Sequence, residues 1–334
     1  YIQADGSTHE GVGYWSNSFR STMPGLIALA RLRGRPVAEL VPAKLRSMDA
    51  YIASLLSTTG EPGSYLPIAD TVGDAVAVDA ISSLAHGVGG PLWRGLMADC
   101  LRRGKRVKRD WTYDGCFAVI CGPEQCPEEQ VNLPAFTKLA KAGMASSFRR
   151  LDGESVRLFL VGAMANAGHC HRDKGSFILE AGGEGFAIDR GAVPYEDAAN
   201  LPFMKSELAH NLAVPDGGVQ QNPSPHACDW SADGDAIALR AEVDTSQTWL
   251  APVTRCRRRI ESPTPGRIEI TDEFELTEPR AVTFYLHTPL AATAAAQRGE
   301  IRGSVFTLSV AAPWAETGVS EPCGVNWNYT PIHR

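Results

Sequence analysis

The spacing of apolar residues in this chain changes between Arg103 and Pro134, and that change limits the folds open to it. From about Trp15 to Arg103, apolar residues recur every three to four positions, which is typical of helices that bury one face. After Pro134 they fall in short runs bounded by Gly, Pro, Asp or Asn, and Arg267–Leu276 alternates between apolar and polar side chains. The sequence therefore predicts helices first and antiparallel strands afterwards.

The same periodicity locates the individual elements. The predicted helices are Ser18–Leu32, Val37–Leu56, Thr71–His86 and Pro91–Arg103, with a further short helix allowed around Phe136–Ala145. Helices of similar length joined by short Gly/Pro loops favour antiparallel pairs, as in a toroid or bundle. Many short strands favour a β-sandwich. The predicted strands are Val156–Val161, Ser176–Ala181, Gly185–Asp189, Ala236–Val243, Arg267–Leu276, Ala281–His287 and Ser304–Ala311.

Composition narrows the class of protein. The chain has 334 residues, of which 44% are hydrophobic and 21% charged, as in soluble globular proteins. It has no apolar run long enough to span a membrane, and its net charge of -6 argues against a general polyanion binder. We therefore expect no membrane or nucleic-acid partner. The basic runs 102–109 and 255–259 are either solvated surfaces or part of a groove for an anionic substrate.

Histidines and acidic residues concentrate around positions 169–210. In an extended chain His169, His171 and Asp173 would project to one face. A Gly-Gly hairpin would return Asp189 towards His171, and His210 begins the next apolar run. Two imidazoles and one carboxylate with an open fourth position suit zinc. The alternative is a set of ordinary hydrogen-bonded histidines near a sheet edge.

Three separate stretches, in the expected order, resemble motifs of the heparinase II/III-like polysaccharide lyases. They lie at residues 5–15, 169–191 and 210–217. The motif residues are Asp5-Gly6-Ser7-Thr8-His9-Glu10-Gly11-Val12-Gly13-Tyr14-Trp15, then His169, His171, Asp173, Ser176, Phe177, Glu180, Ala181, Gly182, Gly183, Glu184, Asp189 and Gly191, then His210, Asn211, Val214, Asp216 and Gly217.

The resemblance implies a multidomain α+β fold. Residues 1–110 would be the C-terminal part of an incomplete (α/α) toroid, and residues 111–334 an antiparallel β-sandwich. It also implies a zinc cofactor held by His171, Asp189 and His210, with His169 in the active site and Tyr14 as the catalytic tyrosine. The implied substrate-site residues are His9, Glu10, Tyr65 and Tyr195.

Two assignments of the tyrosine stay open. In the family, an Asn or His that neutralises the substrate carboxylate lies several dozen residues before the tyrosine. If Tyr14 is that tyrosine, the neutralising residue precedes Tyr1 in a longer or processed protein. If Tyr65 takes the role, His9 lies at about the right separation. The motif around Tyr14 favours the first assignment. On that assignment we expect Tyr14 to lie across a cleft from His169, with space for one uronate between them.

The resemblance implies a carbon–oxygen lyase that cleaves uronic-acid glycans of the alginate or heparin/heparan type by β-elimination. The alternatives are a carbohydrate-binding or structural zinc protein on the same fold, and a zinc hydrolase. The expected partners are an anionic polysaccharide or oligosaccharide and either an N-terminal portion or further copies of the chain. Because the sequence lacks an initiator Met, we expect a removed leader or upstream segment, and a periplasmic or secreted protein.

Overall fold

Helices make up the first part of the molecule. The computed structural model describes residues 2–8, 10–60, 63–71, 76, 78–102, 120–121, 127–162, 169–193, 203–221 and 228–311. None of the helices in these ranges is both long and apolar enough to cross a membrane. The helices are α1 (Gly11–Arg33), α2 (Val37–Leu40), α3 (Ala43–Arg46), α4 (Met48–Leu55), α5 (Val78–Gly87) and α6 (Pro91–Arg102).

The longest helix, α1, follows the predicted periodicity but extends beyond the predicted bounds. Trp15, Phe19, Met23 and Ile27 recur every four positions and are buried, so they form one packed stripe. The helix ends at Gly34, whose φ of 60° gives the left-handed C-cap that glycine adopts without steric cost.

The single helix predicted over Val37–Leu56 is wrong. The segment forms three short helices, and Pro42 lies between the first and the second. Proline lacks the amide hydrogen that a helix interior needs and clashes with the preceding turn. The helix predicted from Thr71 begins at Val78, and the short helix allowed around Phe136–Ala145 is replaced by strands.

Strands make up the described part of the chain after residue 135, apart from short helical turns and loops, so the predicted change from helix to strand is confirmed. They are β1 (Phe136–Leu139), β2 (Met144–Leu151), β3 (Glu154–Val161), β4 (Phe177–Ala181), β5 (Glu184–Ala187), β6 (Ala213–Pro215), β7 (Asp229–Gly234), β8 (Leu239–Asp244), β9 (Val253–Thr264), β10 (Arg267–Leu276), β11 (Val282–Phe284), β12 (Ala291–Ala295), β13 (Arg298–Arg302) and β14 (Thr307–Ala311).

These strands form four antiparallel sheets. The first has the order β1-β2-β3-β4-β5 and the second β10-β9-β8-β7. Two smaller sheets pair β11 with β6 and join β12, β13 and β14. The boundary between the helical and strand-rich parts, predicted near residue 110, lies outside the described residues.

The first sheet is buried on both faces, which explains the nearly continuous apolar run of β3. Phe159 and Val161 pack into the core of the helices. Leu158 and Leu160 point the opposite way, into a core shared with the second sheet. The sheet therefore connects the helices to the rest of the strands.

Two buried, oppositely charged side chains join β3 and β4 to the end of α4. Arg157 and Glu180 are opposite each other in the two strands. Nη2 of Arg157 donates to the carbonyl oxygens of Ala53 and Ser54. The carboxylate of Glu180 accepts hydrogen bonds from the backbone N and Oγ1 of Thr58, at 2.7 and 2.8 Å. We call these two side chains the α4 clamp.

Candidate functional site

The histidine segment before β4 is a turn rather than an extended strand, so the predicted alternation of its side chains is wrong. His169 has a φ of 60°, a left-handed conformation that is uncommon for a non-glycine residue and is often found at functional sites. Its side chain is 39% exposed, whereas that of His171 is fully buried. Asp173 is buried elsewhere, beside Lys174.

The structure brings the three predicted metal ligands together. His171, Asp189 and His210 each offer a ligand atom, and these atoms lie within 4.8 Å of one another. The hairpin of β4 and β5 returns the chain to Asp189, as predicted, and the 3₁₀ turn Glu207–Ala209 leads into His210. Nδ1 of His210 lies 2.9 Å from Oδ2 of Asp189, and all three residues are buried.

Asp189 and His210 stabilise each other's charged forms. Burial alone would raise the pKa of Asp189, but attraction to His210 and the hydrogen bond between them hold that pKa below its usual value. Burial would lower the pKa of His210, yet the charge of Asp189 raises it. The backbone N of Gly191 donates to Oδ1 of Asp189 at 2.8 Å and fixes the carboxylate further.

The side chains of His171, Asp189 and His210 suit zinc both in their chemistry and because two of their nitrogen atoms lack hydrogen-bond partners. Nδ1 of His171 and Nε2 of His210 are buried and have no hydrogen-bond partner among the described residues. Buried polar atoms are nearly always satisfied, so an unpaired imidazole nitrogen beside a carboxylate is a place where a cation fits. Two imidazoles and a carboxylate are a common zinc ligand set.

Asp70, which is absent from the predicted site residues, lies at the centre of the site. Its Oδ1 lies 2.9 Å from Nε2 of His171, and its Oδ2 lies 3.0 Å from Nδ1 of His169 and 2.7 Å from Nζ of Lys205. Burial would raise the pKa of Asp70, but hydrogen bonds from His171, Lys205 and His169 hold it well below its usual range. Sequence reasoning missed both Asp70 and Lys205.

The predicted catalytic pair is in contact. The rings of Tyr14 and His169 are stacked, with centroids 4.2 Å apart and an angle of 29° between their planes. Tyr14 is half-buried in the second turn of α1. By contrast, Tyr65 is buried in the core of the helices, and a Cβ added to Gly13 would lie 3.2 Å from its hydroxyl oxygen.

Of the other predicted substrate-site residues, Glu10, His9 and Tyr195, the structure describes Glu10. Glu10 is the N-cap residue of α1 and makes no capping hydrogen bond with its side chain. Its charge is one of the smaller influences that, with burial, raise the pKa of Cys170 to about 12, which places Glu10 near the histidine turn. His9 and Tyr195 lie outside the described residues.

The basic run 255–259 lies on a charge-paired strand and not in a groove. Arg258 is buried and holds Asp272 through two hydrogen bonds of 2.6 and 2.8 Å. The neighbouring arginines in β9 are partly exposed and pair with acidic residues on the same or adjacent strands, which are Glu275 for Arg255, Glu242 for Arg257 and Glu261 for Arg259. Most of the run 102–109 lies outside the described residues.

The strand-rich part of the chain matches one protein-family model. The family model described as "Heparinase II/III-like, C-terminal" matches residues 136–316. No curated protein sequence matches the chain.

Solved structures with similar folds are named as heparan sulfate lyases and heparinases. A mutant of heparan sulfate lyase HepC from Pedobacter heparinus has a TM-score of 0.70 at 12% identity, over 99% of this chain and 50% of that one. A heparinase III gene product has a TM-score of 0.69 at 10% identity, with coverage of 99% and 50%. Heparinase III has a TM-score of 0.64 at 12% identity, with coverage of 90% and 47%. The chain spans about half the length of these proteins, and the likeness shows the fold.

Proposed function

Because this chain belongs to the heparinase II/III-like family, we propose that it is part of a polysaccharide lyase that cleaves uronic-acid glycans by β-elimination. The observation that carries the proposal is the stack of Tyr14 on His169 beside the buried cluster of His171, Asp189 and His210. The structural neighbours named as heparan sulfate lyases favour a heparin/heparan-type substrate, and alginate is the alternative.

The proposed reaction needs one proton removed and one returned. A base takes the proton from C5 of the uronate, the bond between C4 and its glycosidic oxygen breaks, and a C4=C5 double bond forms. The departing oxygen takes up a proton. A tyrosine suits both steps, because its phenolate can accept the C5 proton and its phenol can protonate the leaving oxygen. We assign this role to Tyr14.

His169 is the second group proposed to act on the substrate. It stacks on Tyr14 and is partly exposed, so an imidazole nitrogen could contact a sugar that lies against Tyr14. Its left-handed backbone and its bond to Asp70 hold the ring in one orientation. Glu10, His9, Tyr65 and Tyr195 remain predicted substrate-site residues.

We propose that His171, Asp189 and His210 hold zinc. Bound there, zinc would supply a fixed positive charge and cross-link the turn before β4 to the hairpin and to the loop before β6. Each of the three side chains is at most 1% exposed, which favours a structural ion over one that activates water for a zinc hydrolase. The residues of the chain itself would then carry the proton transfers.

We further propose that α1 to α6 are the C-terminal part of an (α/α) toroid, with the strands after them as a β-sandwich. The remaining toroid helices would come from a preceding segment or from another copy of the chain. A secreted or periplasmic location would give such an enzyme access to its polysaccharide.

One assay separates the candidate functions. The complete gene product is incubated with heparan sulfate, heparin, alginate, hyaluronan and glucuronan, and ultraviolet absorbance and reducing ends are followed. A lyase produces both, because the new C4=C5 bond is conjugated with the carboxylate. A hydrolase produces reducing ends without the absorbance. A carbohydrate-binding protein produces neither signal but is retained on the immobilised glycan.

A further inference from the structure

Three side chains from the strand-rich part of the molecule contact the carboxylate of Asp70. His171 contacts Oδ1, whereas His169 and Lys205 both contact Oδ2. The carboxylate is 1% exposed, so these groups replace the water that would otherwise solvate its charge. One acidic side chain thus lies between the proposed metal ligand and the proposed substrate-contacting histidine.

The backbone around Asp70 holds that position on both sides. Ala69 has a φ of 57°, an uncommon left-handed conformation that turns the chain into the site. The backbone N of Asp70 donates to the carbonyl oxygen of His169 at 3.0 Å, and the N of Ala192 donates to the carbonyl oxygen of Thr71 at 3.0 Å. The segment from Pro67 to Thr71 is therefore bonded to the histidine turn and to the loop after Asp189.

The carboxylate determines which nitrogen of each imidazole carries hydrogen. An ionised carboxylate only accepts hydrogen bonds, and Lys205 only donates them. Nδ1 of His169 must therefore carry the hydrogen that points at Oδ2, so in the neutral ring Nε2 is the basic nitrogen.

The tautomer of His171, one of the proposed zinc ligands, follows from the same contact with Asp70. Nε2 of His171 donates to Oδ1 of Asp70, so its lone pair is on Nδ1. This Nδ1 is the buried nitrogen that has no hydrogen-bond partner among the described residues. A carboxylate that accepts from the far nitrogen of a metal-binding histidine orients the ring and strengthens it as a ligand.

We propose that Asp70 is a positioning residue that sets the tautomer and ring plane of His169 and His171 together. It thereby links the orientation of the His169 ring, which stacks on Tyr14, to the orientation of the proposed zinc ligand His171. Its catalytic consequence rests on the proposed lyase function, whereas its effects on the His169 tautomer and on zinc affinity do not. Lys205 offsets the charge of Asp70 in this arrangement.

Replacing Asp70 with Asn tests the proposal because the shape is kept and the acceptors change. The amide keeps one accepting oxygen and replaces the other with a donating NH₂ group, so it cannot accept from His169, Lys205 and His171 together. The imidazole that faces the NH₂ group, His169 or His171, can satisfy it only by moving its hydrogen to the other ring nitrogen. We expect Asp70→Asn to reverse the tautomer of one of these two histidines and to weaken zinc binding by roughly 10–100-fold.

The control is Asp49→Asn. Asp49 is a carboxylate of the helical part that accepts a hydrogen bond from Nε1 of Trp93 at 2.7 Å, away from the site. It should leave the His169 tautomer and the zinc affinity unchanged. The tautomers are read from long-range ¹H–¹⁵N spectra of zinc-loaded protein labelled at histidine nitrogen, with His169 assigned by His169→Gln. Zinc affinity is measured by competition with a chromophoric chelator.

The wild-type spectrum is informative even if the Asp70 variant does not fold. A native His169 with its hydrogen on Nδ1 supports the proposal, and one with its hydrogen on Nε2 overturns it. An Asp70→Asn protein that folds with native tautomer and zinc affinity also overturns it. If no uronate glycan gives ultraviolet absorbance, the lyase function fails while these two measurements still decide the role of Asp70.

Discussion

The ring of Tyr14 lies directly against the ring of His169, with centroids 4.2 Å apart. The sequence had led us to expect these side chains on opposite sides of a cleft that holds one uronate between them. That expectation is wrong, because stacked rings leave no space for a sugar. On the proposed lyase function, a sugar would therefore have to approach the edge of the stack and not the space between the rings.

Tyr14→Phe should nearly abolish turnover in the complete protein. The change removes the hydroxyl that we assign to both proton transfers but keeps the ring that stacks on His169. Loss of a positioned acid/base group typically lowers the rate by about 10²–10⁴-fold. Initial rates of ultraviolet absorbance measure the effect, and a zinc assay and a thermal melt should show no change.

Tyr65→Phe is the comparison that separates the two tyrosine assignments. Tyr65 is buried in the core of the helices, so loss of its hydroxyl should affect activity only mildly. If this variant is inactive while Tyr14→Phe retains activity, the catalytic role belongs to Tyr65. In that case His9 becomes the candidate for neutralising the substrate carboxylate.

His171→Ala should lower zinc content and thermal stability together. The variant removes one of three buried ligands, and metal binding contributes directly to folding where the site forms only in the native state. Zinc per protein is measured by elemental analysis, beside melting curves with and without chelator. His86→Ala, at the exposed end of α5, should retain the wild-type values. Stoichiometric zinc in the His171 variant would contradict the ligand assignment.

Gly191→Ala should lower zinc affinity more than the same substitution at another glycine with a positive φ. Gly191 has a φ of 64°, and a Cβ there would collide with the carbonyl oxygen of Thr71 and lie 2.9 Å from Cβ of Pro67. Its backbone N also holds Asp189. We expect zinc affinity to fall by roughly tenfold or more, as for other groups that support metal ligands.

Gly217→Ala is the matched control for that prediction. Gly217 also has a positive φ, of 77°, but a Cβ there would meet nothing within 4 Å. Both variants carry the left-handed penalty of about 1–2 kcal/mol, so the control isolates the effect of crowding. Equal zinc affinity in the two variants would show that the contact with Thr71 does not support the site.

The metal-ligand grouping could be predicted because its geometry is mostly local. Gly182 and Gly183 form the tight turn that folds β5 back on β4, and this pairing returns Asp189 to the end of the hairpin from which His171 departs. His210 follows one short loop later. A family resemblance then supplied the identity of the three residues, which spacing alone had left open.

Asp70 could not be predicted because its position depends on long-range packing. The sequence around it reads as a turn, and only the left-handed Ala69 and the backbone bond to His169 direct the carboxylate into the site. The strand at Phe136–Leu139 was missed for a related reason. Its helix-like sequence is overridden by antiparallel pairing with Met144–Leu151, a contact that local propensity does not record.

The α4 clamp gives a prediction about stability that is independent of catalysis. Glu180→Gln keeps the size of the side chain but removes the negative charge near Arg157, and its NH₂ group replaces one of the two carboxylate oxygens that accept from Ser57 and Thr58. Arg157 is 1% exposed and would lose the stabilising influence of the negative charge of Glu180. Uncompensated buried groups of this kind typically cost about 1–3 kcal/mol, so the free energy of unfolding should fall by roughly that amount.

The control for the clamp is Glu242→Gln on β8. Glu242 pairs with Arg257 at 3.4 Å, and both side chains are more than one third exposed, so the solvent already screens this pair. Its loss should change the free energy of unfolding by less than about 0.5 kcal/mol. Chemical denaturation of both variants in the zinc-loaded state measures the difference. Equal stability in the two variants would mean that the Arg157–Glu180 pair does not hold α4 to the sheet.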